Sequence, residues 1–202
     1  MGIACLSSYT MQDGATNGLL LSFFVSLGIG GLAMGFTRNH KKEIKKREGY
    51  VIVTFGWLTM VVFGTLPYLF TGSIFSITDA FFETMSGYTA TGATILDDIE
   101  SLPKSIILWR SLTHWMGGMG IIVLAIAILP LLGIGGMQLF SAEAPVLGGD
   151  KLHPRISDTA KRLWLIYVTL TFANALLLYV SGMPLFDAIN HGMSTMASGG
   201  FS

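Results

Sequence analysis

Charge is scarce in this sequence. Only 12% of its 202 residues are Asp, Glu, Lys or Arg, against about 25% in a soluble domain. With 51% hydrophobic residues, no net charge and a mean hydropathy of +0.63, this excludes a disordered segment, a coiled coil and a nucleic-acid-binding domain. Cysteine is nearly absent. Cys5 stands alone, so there is no internal disulfide and no cysteine-based metal cluster. Residues 1–17 contain no Lys or Arg, whereas a secretory signal needs a basic region before its apolar stretch. That segment, with Ser7, Ser8, Thr10, Gln12, Asp13 and Asn17, is also too polar to count as a span.

What the sequence does have is long uncharged runs, at 14–37, 49–78, 111–142 and 163–186. A membrane-crossing helix needs about 20 apolar residues, and each run is long enough. The chain therefore reads as an all-α integral membrane protein in contact with a lipid bilayer.

The basic residues set its orientation. Six of the twelve lie in 38–47 (Arg38, Lys41, Lys42, Lys45, Lys46 and Arg47) and four in 151–162 (Lys151, Arg155, Lys161 and Arg162). Short loops rich in Lys and Arg stay cytoplasmic. A run such as KKEIKKRE also suits nucleic acid or anionic lipid, but between two apolar spans it reads as a topology determinant. The loop at 95–104, with Asp97, Asp98 and Glu100 against Lys104, suits the outer face. The spans then run inward at about 18–37, outward at about 50–71, inward at about 105–133 and outward at about 162–180. Pro130 is expected to bend or end the third. Between the last two, 134–161 is cytoplasmic and broken by Pro145, Gly148, Gly149 and Pro154. A short helix is expected from about Ser157, with Asp158 and Arg162 paired.

Each outward span is followed by a similar segment. ITDAFFETMSGYTATGAT at 77–94 and LFDAINHGMSTMASGGFS at 185–202 align at a constant offset of 108. They match at Asp79/Asp187, Ala80/Ala188, Met85/Met193, Ser86/Ser194 and Gly92/Gly200, with Thr94/Ser202 similar. Two crossings separate the copies, so the repeat is parallel rather than inverted. A helix from Thr78 to Tyr88 is about 16 Å long, roughly half the hydrocarbon core. Followed by a small, hydroxyl-rich, glycine-containing stretch, it reads as a re-entrant pore loop, or alternatively as a plain extracellular turn. In the first reading the negative end of the helix dipole favours a cation. The carbonyls of Thr89, Ala90, Thr91 and Gly92 replace its water shell, and Gly92 and Gly200 supply the backbone freedom to aim them. Asp79 and Asp187 suit helix caps better than ion ligands. Asp97, Asp98 and Glu100 either concentrate cations at the mouth or form a solvated loop.

Other patterns point elsewhere. Gly28-Ile29-Gly30-Gly31-Leu32-Ala33 fits a dinucleotide fingerprint, but it lies in an uncharged apolar helix with no preceding strand. Gly31 and Gly35 suit small-residue helix packing instead, and Gly117, Gly118 and Gly120 suit close approach of the third span to its neighbours or to the pore loop. Arg110 either snorkels or binds a pore-loop carbonyl. Trp57, Trp109, Trp115 and Trp164 suit interface or packing positions. His114 or His191 beside Ser194 or Ser198 raises an intramembrane hydrolase, although His191 falls where the other repeat has Glu83, so the copies share no base. A membrane anchor without a transport role is the third possibility.

The stretches FFETMSGYTATGAT, LPKSIILWRSLTHWMGGMGIIVLAIAILPLLGIGGMQLFSAE, PRISDTAKRLWLIY and GMPLFDAINHGMSTMASGGFS closely resemble the TrkH-type potassium uptake proteins of bacteria, from about Leu19 onward. The resemblance implies helix–pore-loop–helix repeats of potassium-channel type, four of them around one potassium pathway. It also implies multi-pass insertion in the inner (cytoplasmic) membrane, a homodimer, and a TrkA-type cytoplasmic nucleotide-binding regulatory subunit. It implies no enzymatic activity and no organic cofactor, the potassium ion being what is carried.

Carried over residue by residue, the filter falls on Thr89–Gly92 and Ala197–Gly200. The ion-facing carbonyls are those of Ala90, Thr91, Ser198 and Gly199, with Gly92 and Gly200 shaping the backbone. Glycine at both positions goes with potassium preference in that superfamily. The chain ends at Ser202, after the second filter, and so reads as a fragment that alone does not surround an ion. Its expected organisation is an N-terminal segment with one span and the basic loop at 1–49, a first complete repeat at 50–133, a cytoplasmic linker at 134–161, and the start of a second repeat at 162–202.

Overall fold

The computed structural model describes the backbone of residues 1–37, 46–132 and 152–202, and the side chains of 1–37, 51–120 and 161–202. Seven helices occupy the described residues: α1 (Gly2–Met11), α2 (Thr16–Thr37), α3 (Lys46–Thr71), α4 (Ile77–Tyr88), α5 (Lys104–Leu132), α6 (Leu152–Val180) and α7 (Leu185–Met196). Three of these, α2, α3 and α6, contain stretches long and apolar enough to cross a membrane. The 29 residues of α5 rise about 43 Å, more than a hydrocarbon core. α4 and α7 have 12 residues each, or about 18 Å, and cannot cross. This is the expected all-helical architecture of full spans alternating with half-length helices.

α5 lies at the centre and packs against α1, α3, α4, α6 and α7. The three glycines of its middle make this possible, each against a different element. A β-carbon at Gly117 would press on the carbonyls of Gly87 and Tyr88, where α4 ends. One at Gly118 would lie 2.8 Å from the Tyr167 hydroxyl and 2.9 Å from Ala197 Cα, and one at Gly120 would lie 3.0 Å from the Trp57 ring. Trp109 Nε1 donates to the Gly64 carbonyl (3.1 Å) and Trp115 Nε1 to Thr171 Oγ1 (3.0 Å), so both serve packing between helices, Trp109 buried and Trp115 half-buried. By contrast the outward sides of α2 and α6 are apolar and bare, including Phe24, Leu32, Phe36, Leu165, Phe172 and Leu177. Such a surface is stable against lipid and not against water.

The structure differs from the sequence reading in three places. Residues 2–11 form a helix that buries Ala4, Cys5 and Ser8 and packs on α2 and α5. The following Asp13 accepts hydrogen bonds from Ser8 Oγ (2.5 Å), Ala15 N–H (3.2 Å) and Ser105 N–H (2.8 Å), so it caps the start of α5 from a distance. Second, the short helix expected from Ser157 is part of one helix, Leu152–Val180. Pro154 falls in its first turn, where a proline has no helical hydrogen bond to lose. Third, among the described residues Gly31 and Gly35 meet nothing within 4 Å. The close approach of α2 is at Gly18, whose β-carbon would lie 2.6 Å from the Phe70 carbonyl oxygen. Residues 38–45 of the basic cluster at 38–47 and residues 134–151 of the expected linker at 134–161 lie outside the described residues, as do the side chains of Asp158 and Arg155.

Candidate functional site

The two half-length helices begin and end in step. Ile77–Tyr88 and Leu185–Met196 are displaced by 108 residues, the offset of the sequence repeat. Matched residues take matched surroundings. Asp79 and Asp187 are exposed in the first turns, whereas Ala80 and Ala188 are fully buried, and Ser86 and Ser194 are buried too. In α4 the cap itself is Ser76, whose Oγ accepts from Asp79 N–H (3.3 Å), so Asp79 adds charge at the positive end of the helix dipole.

At the other end α4 closes with a Schellman turn, the Ala90 N–H donating to the Gly87 carbonyl and the Thr91 N–H to the Ser86 carbonyl, both 3.0 Å. This sets Ala90 in the left-handed region at φ 53°, and Gly92 follows at φ 78°. The second copy repeats the pattern, with the Ser198 N–H donating to the Thr195 carbonyl (3.0 Å), Ser198 at φ 65° and Gly200 at φ 63°. Glycine adopts such angles freely, but an alanine or serine does so at a cost of about 1 kcal/mol. Equivalent strained residues in both copies mark a backbone shape held for a purpose.

The two segments meet. A β-carbon on Gly92 would overlap the Gly199 carbonyl, and one on Gly199 would overlap the His114 ring and lie 2.8 Å from the Ala90 carbonyl oxygen. Thr89 closes the first helix, its Oγ1 donating to the Met85 carbonyl (2.8 Å) and sharing a hydrogen bond with Thr91 Oγ1 (2.8 Å). Ala197 is buried as the cap of the second. Thus Ala90, Thr91, Gly92, Ser198, Gly199 and Gly200 lie on two short strands of irregular backbone, each leaving the negative end of a helix dipole. A cavity of about 1080 Å³ is lined by acidic and basic side chains, Asp97, Asp98, Glu100, Lys104, Arg110 and Asp187 among them, and reaches Phe201 and Ser202 just past the second segment but none of residues 89–92 or 197–200.

The family model for TrkH, described as a cation transport protein, matches residues 18–202. The chain belongs to the TrkH family. The Trk system potassium uptake protein TrkH of Salmonella typhimurium is 53% identical over 193 residues, covering 95% of this chain and 40% of that protein. Its counterpart in Escherichia coli is 51% identical, covering 100% of this chain and 42% of the other. The crystal structure of the potassium transporter TrkH from Vibrio parahaemolyticus superposes with a TM-score of 0.80 at 43% identity, over 99% of this chain and 42% of that one. The chain therefore spans about two fifths of the length of the curated relatives it matches.

In this TrkH-family chain, two side chains beside the loops were missed as partners by the sequence reading. Arg110 is 1% exposed and binds a pore-loop carbonyl, that of Phe201, through Nη1, which was one of its two expected fates. Its second partner was not foreseen: Nε lies 2.6 Å from Glu83 Oε1. The signal was available. Glu83 is the only charged residue between Asp79 and Asp97, and Arg110 the only one between Lys104 and Glu143. Lone charges in apolar surroundings need a partner. The serine–histidine pair of the hydrolase reading does form a contact, Ser194 Oγ to His114 Nδ1 at 3.4 Å. Both residues are fully buried and His114 Nε2 has no hydrogen-bond partner among the described residues. The contact holds the His114 ring against the second half-length helix, behind the loops. The relatives named above are potassium uptake proteins.

Proposed function

We propose that this chain forms part of the ion-translocating subunit of a Trk-type system that takes up potassium across a bacterial inner membrane. Backbone carbonyls of Thr89–Gly92 and Ala197–Gly200 coordinate the ion as it passes. One observation carries the reading: two equivalent segments, each leaving a half-length helix, turn through the same left-handed angles at Ala90/Gly92 and Ser198/Gly200 and meet at Gly92 and Gly199. Carbonyls in that setting replace a cation's water shell, and the negative helix ends stabilise its charge. The names of the relatives, potassium uptake proteins of a Trk system, support potassium as the ion. They also support an assembly of more than one component, for which a TrkA-type regulatory subunit on the cytoplasmic face and a homodimer are the proposed partners. In this reading 1–49 is the N-terminal segment, 50–133 a complete repeat, 134–161 the linker facing the regulator, and 162–202 the start of the next repeat.

The test is uptake. A full-length transporter carrying this chain, expressed in cells stripped of their own potassium uptake, is expected to restore growth at low potassium and to accumulate rubidium. Expression at the membrane without either would refute the reading.

A further inference from the structure

Between the two loops lies a charge pair whose task is so far unassigned. The side chains of Glu83 and Arg110 are 0% and 2% exposed. Placing two charges in such surroundings is costly, and a well-packed apolar pair is often as stable or more so, so the pair calls for a use beyond stability. Its other contacts run in opposite directions. On the Glu83 side, Thr94 Oγ1 donates to both carboxylate oxygens (2.9 and 3.1 Å) and Ile95 N–H to Oε2 (3.1 Å), gripping the chain just past Gly92. On the Arg110 side, Nη1 donates to the Phe201 carbonyl and the guanidinium lies 3.5 Å from the Phe201 ring centroid, gripping the chain just past Gly200. In the second copy His191 stands in Glu83's place and shares a hydrogen bond with Ser202 Oγ (2.8 Å), the counterpart of Thr94. The link from pore helix to loop exit recurs in both copies. In the first, Arg110 extends it across to the other loop.

We propose that Glu83 and Arg110 are a positioning pair that fixes the first filter segment against the second, and that the preference for potassium over sodium depends on it. This rests on the reading of the two segments as a potassium filter. Arg110 suits the task because its planar fork serves a carboxylate and a carbonyl at once, which one ammonium on a flexible stem does not. With Gly92 packed against Gly199, a shift at either exit passes directly into the spacing of the carbonyls, and that spacing sets selectivity.

The experiment uses a full-length transporter carrying this chain. Arg110→Lys keeps the charge and removes the fork. It is expected to reach the membrane at the parent's level while the ratio of apparent affinities for potassium and sodium falls about tenfold. Glu83→Gln should move the ratio in the same direction. Thr94→Val leaves the ion pair intact and loosens only one grip, so a fall of about twofold is expected. It decides the matter alone if the other variants fail to insert. An unchanged ratio in the inserted variants overturns the positioning role, because a merely structural pair would alter abundance without altering preference. A parent that takes up no potassium overturns the functional reading itself, and this inference with it.

Discussion

Gly92 and Gly200 occupy the same place in the two copies, yet they respond differently to a side chain. Both have positive φ, 78° and 63°, so any other residue carries a left-handed penalty of about 1 kcal/mol. At Gly200 the penalty stops there, since nothing among the described residues lies within 4 Å of a β-carbon. At Gly92 the β-carbon would overlap the Gly199 carbonyl. The obstacle is backbone on both sides, so no flexible side chain can yield, and the strands must part by roughly 1 Å in a packed interior. Gly92→Ser is therefore expected to lower potassium preference over sodium by about tenfold or more, with insertion retained. Gly200→Ser is expected to change it by no more than about threefold, an allowance of less than 1 kcal/mol. Competitive uptake of potassium and sodium, normalised to protein in the membrane, measures both. Equal effects, or the larger effect at Gly200, would refute the argument that contact between the two loops sets the filter's shape.

Three further outcomes are expected. In a Cys5→Ser background, a cysteine at Ile44 should resist membrane-impermeant thiol reagents in intact cells and one at Asp98 should react, since ten of twelve basic residues fall in 38–47 and 151–162, which the positive-inside rule puts on the opposite side from the acidic segment at 95–104; the reverse pattern would invert the topology. Gly117→Ala, pressed on the carbonyls of Gly87 and Tyr88, should cost about 1–3 kcal/mol and lower thermal stability in detergent more than Gly31→Ala, which meets nothing within 4 Å among the described residues. Asp13→Ala removes a cap from α5 and should cost about 1 kcal/mol. Burial pushes the Asp13 carboxyl up, but hydrogen bonds from Ser105, Ser8 and Ala15 outweigh it and hold it below its ordinary 3.8. The cap's contribution is therefore full above that value and lost as pH falls through the lowered one, so the parent but not the variant should lose stability in that acid range.

The spans were legible because lipid-facing helices tolerate so little charge that the uncharged runs mark them. The loops were legible through the offset of 108, and Gly92 and Gly200 do adopt the positive φ expected of them. Ala90 and Ser198 were expected only as ion-facing residues, because their left-handed angles arise in helix-ending turns that no residue type announces. α1 was missed because its polar residues read as solvated, whereas Ser8 bonds to Asp13 and Thr16 just beyond the helix, and Asp13 in turn reaches Ser105, far away in sequence. The continuation of α6 through Pro154 was missed because proline reads as a breaker unless its position in the helix is known. The Glu83–Arg110 pair spans 27 residues, and no local spacing rule connects it.

How the two copies differ is as informative as how they agree. Both outward spans end alike, in a glycine at positive φ with the same pair of backbone hydrogen bonds. Gly72 N–H donates to Leu69 and Ser73 N–H to Tyr68, while Gly182 N–H donates to Tyr179 and Met183 N–H to Leu178. These turns are displaced by 110 residues, whereas the helices that follow are displaced by 108. The first copy thus has two extra residues, and they lie wholly between the glycine turn and the helix start, in Ser73–Ser76 against Met183–Pro184. From Ile77 and Leu185 onward the copies stay in step through the left-handed positions to Thr94 and Ser202. A change of length in the approach alters only how the chain reaches the helix. One within the helix would rotate its last carbonyls by about 100° per residue, and one in the following strand would move Gly92 off Gly199. The invariance therefore begins where a change would reach the proposed ion path, which makes the helix and its following strand one functional unit and the preceding turn a connector.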